Sequence, residues 1–104
     1  MNWHLYVAYF FGGMFLANAV PHLVNGICGR PFPTLLSSPP GKGQSSPTVN
    51  VLYGAFNLAV GYVLVYGVGE FSLNRIPDVL TLGAGGLLLA IVLSRLLEEF
   101  HRVQ

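Results

Sequence analysis

Long apolar runs alternate with more polar segments along this chain, and these runs define the predicted elements. They cover about residues 3–25, 47–67 and 77–100, and the segment 26–46 between the first two is much more polar. A helix needs about 20 apolar residues to cross the hydrocarbon core of a bilayer, and each run supplies that length. We therefore predict an all-α integral membrane protein with three transmembrane helices in a single domain, residues 1–104.

The segment 26–46 is rich in proline, glycine and serine and has no helical periodicity, so we predict a long loop. Phe32, Leu35 and Leu36 make it too apolar for a linker surrounded by water. We expect the loop to fold back against the helices or to lie in the membrane interface. Ser46 is a good N-cap, and the proline that follows it suits the first position of the second helix.

Composition supports a membrane location. The chain of 104 residues is 53% hydrophobic and only 9% charged, whereas soluble domains carry about 25% charged residues. So few charges cannot cover the surface of a water-soluble protein, and a bilayer removes that requirement. The net charge of +1 provides no basic field. We therefore predict the lipid bilayer as a partner and exclude nucleic acid.

The distribution of basic residues predicts the orientation. With three spans, one side of the membrane carries Arg30, Lys42, Arg95 and Arg102, and the other carries only Arg75. Basic residues are enriched in the cytoplasmic segments of membrane proteins. We therefore predict a multi-pass protein of the cell membrane, the inner membrane of a bacterium, with the N-terminus outside and the C-terminus in the cytoplasm.

Polar residues of the first two helices fall on one face of each helix, because they recur at helical spacing. Six residues are therefore candidates for a binding site or a pore lining: Asn18, His22, Asn25, Asn50, Tyr53 and Asn57. In an antiparallel pair of helices, Asn18 should lie near the level of Asn57. By the same register, Asn25 should lie near the level of Asn50.

Two interpretations of this polar stripe are open. Unpaired amides and imidazoles are costly in hydrocarbon, so the side chains should point at one another, at another subunit or at a wet cavity. They act either only as hydrogen bonds between helices or as a functional pocket or path. Pro21 favours the second, because a proline inside a helix leaves the carbonyl of Ala17 without its usual donor beside His22. No potential ligands show a standard metal-site spacing, so we predict no metal and no cofactor.

Small residues at a spacing of four recur on the first and third helices: Ala8 and Gly12, Gly13 and Ala17, and Gly86, Ala90 and Ser94. Such faces let helix backbones approach closely and are typical contact surfaces of membrane helices. Because three helices offer only three mutual contacts, we expect a homo-oligomer or a complex with other membrane subunits. The alternative is that glycine is simply common in transmembrane helices.

Three segments carry a resemblance to other proteins: residues 18–22 read NAVPH, residues 29–32 read GRPF, and residues 40–54 read PGKGQSSPTVNVLYG. In this pattern the chain resembles a group of short bacterial integral membrane proteins over roughly residues 15–60. The resemblance implies a small bacterial membrane protein and no particular activity.

Three functions from different classes fit the sequence. The chain has no phosphate-binding loop, nucleophile elbow, zinc-protease motif or intramembrane carboxylate pair. The first hypothesis is an oligomerising or complex-forming membrane subunit whose polar stripe specifies helix pairing. The second is a homo-oligomeric transporter or channel for protons or a small solute. The third is a membrane enzyme acting on a lipid-like substrate, with His22 as general base, so whether the chain is an enzyme stays open.

Overall fold

Three helices make up most of the molecule. The computed structural model of the chain describes residues 2–37, 39 and 43–102. The helices are α1 (Trp3–Ile27), α2 (Pro47–Tyr62) and α3 (Ile76–Arg102). The described part contains no strand, so the predicted all-α fold of three helices is confirmed there.

The second helix shows how local sequence sets the boundaries. Ser46 Oγ accepts a hydrogen bond from the Val49 N–H at 3.2 Å, and Pro47 occupies the first helical position. At the other end, Val63–Gly67 continues α2 as one π-helical turn. The whole apolar segment is therefore Pro47–Gly67, and like α1 and α3 it is long and apolar enough to cross a membrane.

The first helix lies at the centre of the bundle. It packs against α2 on one side and α3 on the other, and in the described part no Cα atom of α2 lies within 8 Å of a Cα atom of α3. Gly26 lies beside Val51, and Gly12 beside Gly61, so α2 runs antiparallel to α1. The two connections then make α3 run parallel to α1. The backbones of α2 and α3 are therefore held apart, and a gap stays open between them over one face of α1.

Glycines allow the close approach of α1 and α3. A methyl group placed on Gly85 would overlap with the carbonyl oxygen of Phe10, and one placed on Gly13 would overlap with that of Leu82. Gly12 and Gly13, two members of the small-residue series, are buried within this chain. The last two small residues of the α3 series are exposed. Part of the small-residue pattern is therefore explained by packing inside one molecule.

Burial in this bundle is the reverse of that in a water-soluble protein. Asn50 is 0% exposed and Asp78 is 2% exposed, whereas Leu52 and Phe56 on α2 are 65% and 63% exposed. The most apolar 18-residue part of α3 is only 11% buried. The interior is small and polar, and the surface is large and apolar, as in a helix bundle whose solvent is lipid.

The loop between α1 and α2 folds back against the helices where it is described. Phe32 is buried, and its backbone pairs with that of Ser45 in an antiparallel bridge. Leu35 and Leu36, in contrast, are each 71% exposed. Lys42, which contributes to the predicted orientation, lies outside the described residues.

Candidate functional site

Two hydrogen bonds join α1 to α2 inside the bundle. Asn18 Nδ2 donates to Asn57 Oδ1 at 3.1 Å, so these residues lie at the same level, as expected from the register. One turn further along α1, His22 Nδ1 lies 2.7 Å from Asn50 Oδ1, and both of these side chains are buried. The polar stripe therefore does connect the two helices directly.

Asn50 decides which nitrogen of His22 carries the proton. Its Nδ2 group donates to the backbone carbonyls of Phe32, Ser45 and Ser46 at 3.0, 3.1 and 3.1 Å. The amide cannot be turned around, because its oxygen would then face three carbonyl oxygens. Oδ1 is therefore the atom that faces His22, and since an oxygen only accepts, Nδ1 of His22 must donate.

The loop and α2 hold the imidazole ring in place. Phe32 and Tyr53 meet it edge to face, with ring centroids 5.4 and 4.7 Å from that of His22. The loop is itself fixed by a 2.7 Å hydrogen bond between the hydroxyls of Thr34 and Ser45. Asn50 ties this loop to the helices, so one buried amide positions both the histidine and the segment that covers it.

A groove of about 390 Å³ opens beside these residues, between α2 and α3. Its floor is α1, its walls are α2 and α3, and the folded loop closes one end. Its lining residues are Phe11, Met14, Phe15, Asn18, Pro21, His22, Phe32, Pro33, Thr34, Leu35, Tyr53, Asn57, Leu89, Leu93, Leu96 and Leu97. The volume lies in the range of pockets that bind small molecules, and the lining is mostly apolar.

The second ring nitrogen of His22, Nε2, faces the groove. It has no hydrogen-bond partner among the described residues. Since every fully enclosed side-chain nitrogen or oxygen of those residues does have a partner, Nε2 is not fully enclosed. Nε2 therefore contacts the open space that His22 lines. No carboxylate of the described residues lines the groove, so a protonated ring would be an unpaired charge in apolar surroundings. The neutral ring presents an Nε2 lone pair, which can accept a hydrogen bond.

Asn18 supplies a second acceptor to the groove. Asn57 Nδ2 donates to the carbonyl of Tyr53 at 2.8 Å, so Asn57 Oδ1 must accept from Asn18 Nδ2. This leaves Asn18 Oδ1 without a partner in the part of the chain that the structure describes. Asn18 and His22 are four residues apart and share one face of α1. The groove therefore carries two hydrogen-bond acceptors one helical turn apart.

The six residues predicted for the site do not all meet in it. Four of them line the groove, and Asn50 lies behind His22, fully buried. Asn25 lies outside the groove: its Nδ2 donates to the carbonyl of Pro21 at 2.7 Å, and its Oδ1 accepts from Arg30 Nε at 3.1 Å. Asn25 and Asn50, which we expected at the same level, therefore form no hydrogen bond with each other. The side chain of Asn50 is bonded to His22 instead.

The apolar walls of the groove were missed by sequence reasoning. Leu89, Leu93 and Leu96 of α3 line it together with Phe32 and Pro33 of the loop. A signal for the leucines was present, since spacings of four and three place them on one face of α3. Nothing in the sequence showed that this face would stand opposite α2 across an open gap. Among the described residues, no group of three histidine, cysteine, aspartate or glutamate side chains could hold a metal ion.

Comparison with known proteins gives no match. No protein-family model matches the chain, and no curated protein and no solved structure matches it either.

Proposed function

We propose that this chain spans a membrane three times and binds, in the groove, a lipid-like molecule that carries hydroxyl groups. The feature that supports this most is His22 at the floor of a mostly apolar groove, where its Nε2 has no hydrogen-bond partner among the described residues. A ligand that fills the groove needs an apolar body to match the leucine walls. It also needs a hydrogen-bond donor, because a buried acceptor that gains no partner opposes binding.

Membrane insertion is supported by the distribution of exposed residues. Large apolar side chains cover the outside of all three helices, and the buried positions are mostly glycine, alanine, asparagine and histidine. In water such a surface would associate with other apolar surfaces, whereas lipid is a suitable solvent for it. The excess of basic residues near the loop and the C-terminal end supports the N-out, C-in orientation in a bacterial inner membrane.

Binding is better supported than catalysis. His22 Nε2 has the lone pair of a general base, but no carboxylate or cysteine lines the groove to act with it. Transport through a pore at the centre of an oligomer is also less well supported. The hydrogen bonds of Asn18 and His22 to α2 are formed inside one chain, so these bonds require no second chain.

Native mass spectrometry of the protein released from detergent micelles tests the proposed binding. The probes are a monoacylglycerol and the same lipid with both hydroxyls methylated. We expect the first to be retained and the second to be lost, because methylation removes both donors and leaves the apolar chain. Equal retention of the two lipids would contradict the proposal.

Variants locate the site. The shorter amide of a His22→Asn variant can still donate to Asn50 but places no acceptor at the position of Nε2, so monoacylglycerol retention should fall while the fold persists. Leu93→Trp should fill the groove and abolish retention. Leu87→Trp is the matched control on α3, because Leu87 is 63% exposed and does not line the groove. Retention that is unaffected by Leu93→Trp would place the lipid elsewhere.

A second candidate function is that of an oligomerising or complex-forming subunit. The exposed face of α3 favours it, because a methyl group on Gly83 would meet no atom within 4 Å and Ser94 on the same helix is exposed. A neighbouring helix could approach this face closely. A Ser94→Cys variant in a Cys28→Ser background should then form disulfide-linked dimers in membranes. A strictly monomeric product under oxidation would contradict this candidate.

A further inference from the structure

A second cavity lies at the opposite end of the bundle from the loop. It has a volume of about 480 Å³ and lies between the first two turns of α1, the segment after the π-helical turn and the start of α3. We call it the end pocket. The polar residues used below are Tyr9, Glu70, Arg75 and Asp78, all of which line it.

Tyr9 brings a phenol hydroxyl to the wall of the end pocket. The residue is only 2% exposed, and its ring packs edge to face on Phe71 with centroids 5.2 Å apart. The hydroxyl has no hydrogen-bond partner among the described residues. Since every fully enclosed side-chain oxygen of those residues does have a partner, the hydroxyl is not fully enclosed. It therefore contacts the open volume of the end pocket, where a ligand can reach it.

Asp78 is a buried carboxylate with one oxygen in use. It is 2% exposed, and its Oδ2 accepts from the Ser72 N–H at 3.1 Å and from Arg75 Nε at 2.9 Å. The other oxygen, Oδ1, has no partner among the described residues and by the same reasoning is open to the end pocket. The hydrogen bond to Asp78 raises the pKa of Arg75 above its ordinary value, so its guanidinium stays charged. The terminal nitrogens of that guanidinium have no partner among the described residues, where only Nε is used.

The charges of the end pocket match a zwitterion. Two carboxylates, Glu70 and Asp78, stand near one guanidinium, that of Arg75. A simple anion would be repelled by the carboxylates. A metal ion lacks ligands, since no group of three suitable side chains occurs among the described residues. A group with a cationic end and an anionic end can satisfy both signs at once.

We infer that the end pocket binds the phosphoethanolamine headgroup of a membrane phospholipid. The ammonium donates to Asp78 Oδ1, to Glu70 and to the Tyr9 oxygen, and the phosphodiester accepts from the terminal nitrogens of Arg75. The position favours a lipid over a soluble zwitterion. The end pocket lies at the end of the apolar helices, beside a Trp3 that is 70% exposed, as expected at the headgroup level of a bilayer. The headgroup site depends on the proposed membrane insertion but not on the groove.

Lipid competition tests this site. The Leu93→Trp variant, whose groove is filled and cannot take up the hydroxyl-bearing phosphatidylglycerol, is used in mixed micelles. It is offered phosphatidylethanolamine, phosphatidylcholine and phosphatidylglycerol with identical acyl chains, and retained lipid is counted by native mass spectrometry. Phosphatidylcholine keeps the positive charge but has no N–H donor. We expect phosphatidylethanolamine to be retained about tenfold over both others, a factor that corresponds to about 1.4 kcal/mol. Equal retention of the three lipids would overturn the inference.

Variants connect the preference to the end pocket. Tyr9→Phe removes only the hydroxyl, and Glu70→Gln removes only a charge, so each should reduce the preference for phosphatidylethanolamine. Glu99→Gln is the matched control, because Glu99 lies on the exposed C-terminal end of α3. A preference that survives both test variants would overturn the site. His22→Asn should leave this preference unchanged, which separates a failure of the groove from a failure of the end pocket.

A soluble competitor shows whether the bound headgroup belongs to a membrane lipid. Glycerophosphoethanolamine carries the same polar group without acyl chains. Failure of this compound to displace the lipid would support a membrane lipid as the ligand. Displacement at equal concentration would support the same recognition chemistry and overturn the assignment to a lipid.

Discussion

At the scale of single residues, Asn50 organises the groove. One amide group donates to three backbone carbonyls of the loop and at the same time orients His22. Because the amide is fully buried, no water or lipid can replace these hydrogen bonds when it is removed. The position of the loop and the choice of the imidazole nitrogen that carries the proton therefore depend on the same side chain.

Replacing Asn50 by leucine should destabilise the protein. The change leaves the buried His22 N–H without its partner. The carbonyls of Phe32, Ser45 and Ser46 each lose one donor but keep a backbone N–H. A loss of about 1–3 kcal/mol is expected for a buried donor left unsatisfied. Thermal unfolding in mild detergent measures the effect as a lower Tm. Asn74→Leu is the matched control, because Asn74 is exposed in the connection between the second and third helices. Equal Tm values for the two variants would show that the Asn50 hydrogen bonds do not stabilise the fold.

Sequence reasoning found most of the polar residues of the groove but not their partners. Helical spacing placed Asn18 opposite Asn57, because both lie in the regular parts of antiparallel helices. It could not place the carbonyls of Phe32 and Ser45 beside Asn50, since they belong to a loop without periodicity. It also assigned Asn25 to the stripe, although near the end of α1 this side chain bonds to its own helix and to Arg30.

At the scale of helices, glycines determine how closely the elements pack. Gly85 faces the backbone of α1 so closely that no side chain fits, whereas Gly83, two residues earlier on the same helix, faces open space. The two positions have the same helix propensity. The same substitution at each position therefore separates the effect of packing on stability from the effect of helix propensity.

Gly85→Ala should push α3 away from α1. The added methyl group would overlap with the carbonyl oxygen of Phe10, and overpacking of this kind costs about 1–3 kcal/mol. We expect a lower Tm and, because α3 forms one wall of the groove, weaker retention of the monoacylglycerol. Gly83→Ala should leave both properties unchanged or raise the Tm slightly. If Gly85→Ala is as stable as Gly83→Ala, then α3 does not pack on α1 as described.

The helices themselves could be predicted from the sequence, because long apolar runs and a Ser46–Pro47 start signal do not depend on tertiary context. The arrangement of the helices could not. Glycines occur on two faces of α1, and only the packed structure shows that Gly12 faces α2 while Gly13 faces α3. The gap between α2 and α3 follows from this division, and so does the groove.

At the scale of the whole molecule, the orientation in the membrane is open to a direct test. Cys28 is the only cysteine of the chain, and it is exposed next to the C-terminal end of α1. In the proposed orientation this end of the bundle faces the cytoplasm. The connection between the second and third helices faces the outside, and it carries a Leu73 that is 74% exposed.

A membrane-impermeant maleimide should therefore label wild-type protein only after bacterial cells are opened. A Leu73→Cys variant in a Cys28→Ser background should be labelled in intact cells. Labelling is read as a mass shift on gels, and the Cys28→Ser protein provides the background. Labelling of Cys28 in intact cells, with protection of the Leu73→Cys variant, would reverse the proposed orientation.

The most direct test of ligand binding in the groove is ¹⁵N nuclear magnetic resonance of the His22 ring in lipid nanodiscs, assigned with the His22→Asn variant. We predict that Nδ1 carries the proton and that Nε2 does not. We further predict that the Nε2 resonance moves when the monoacylglycerol is added and stays in place with its methylated analogue. A proton on Nε2, or an Nε2 resonance that both lipids leave unchanged, would contradict a hydroxyl-bearing ligand in the groove.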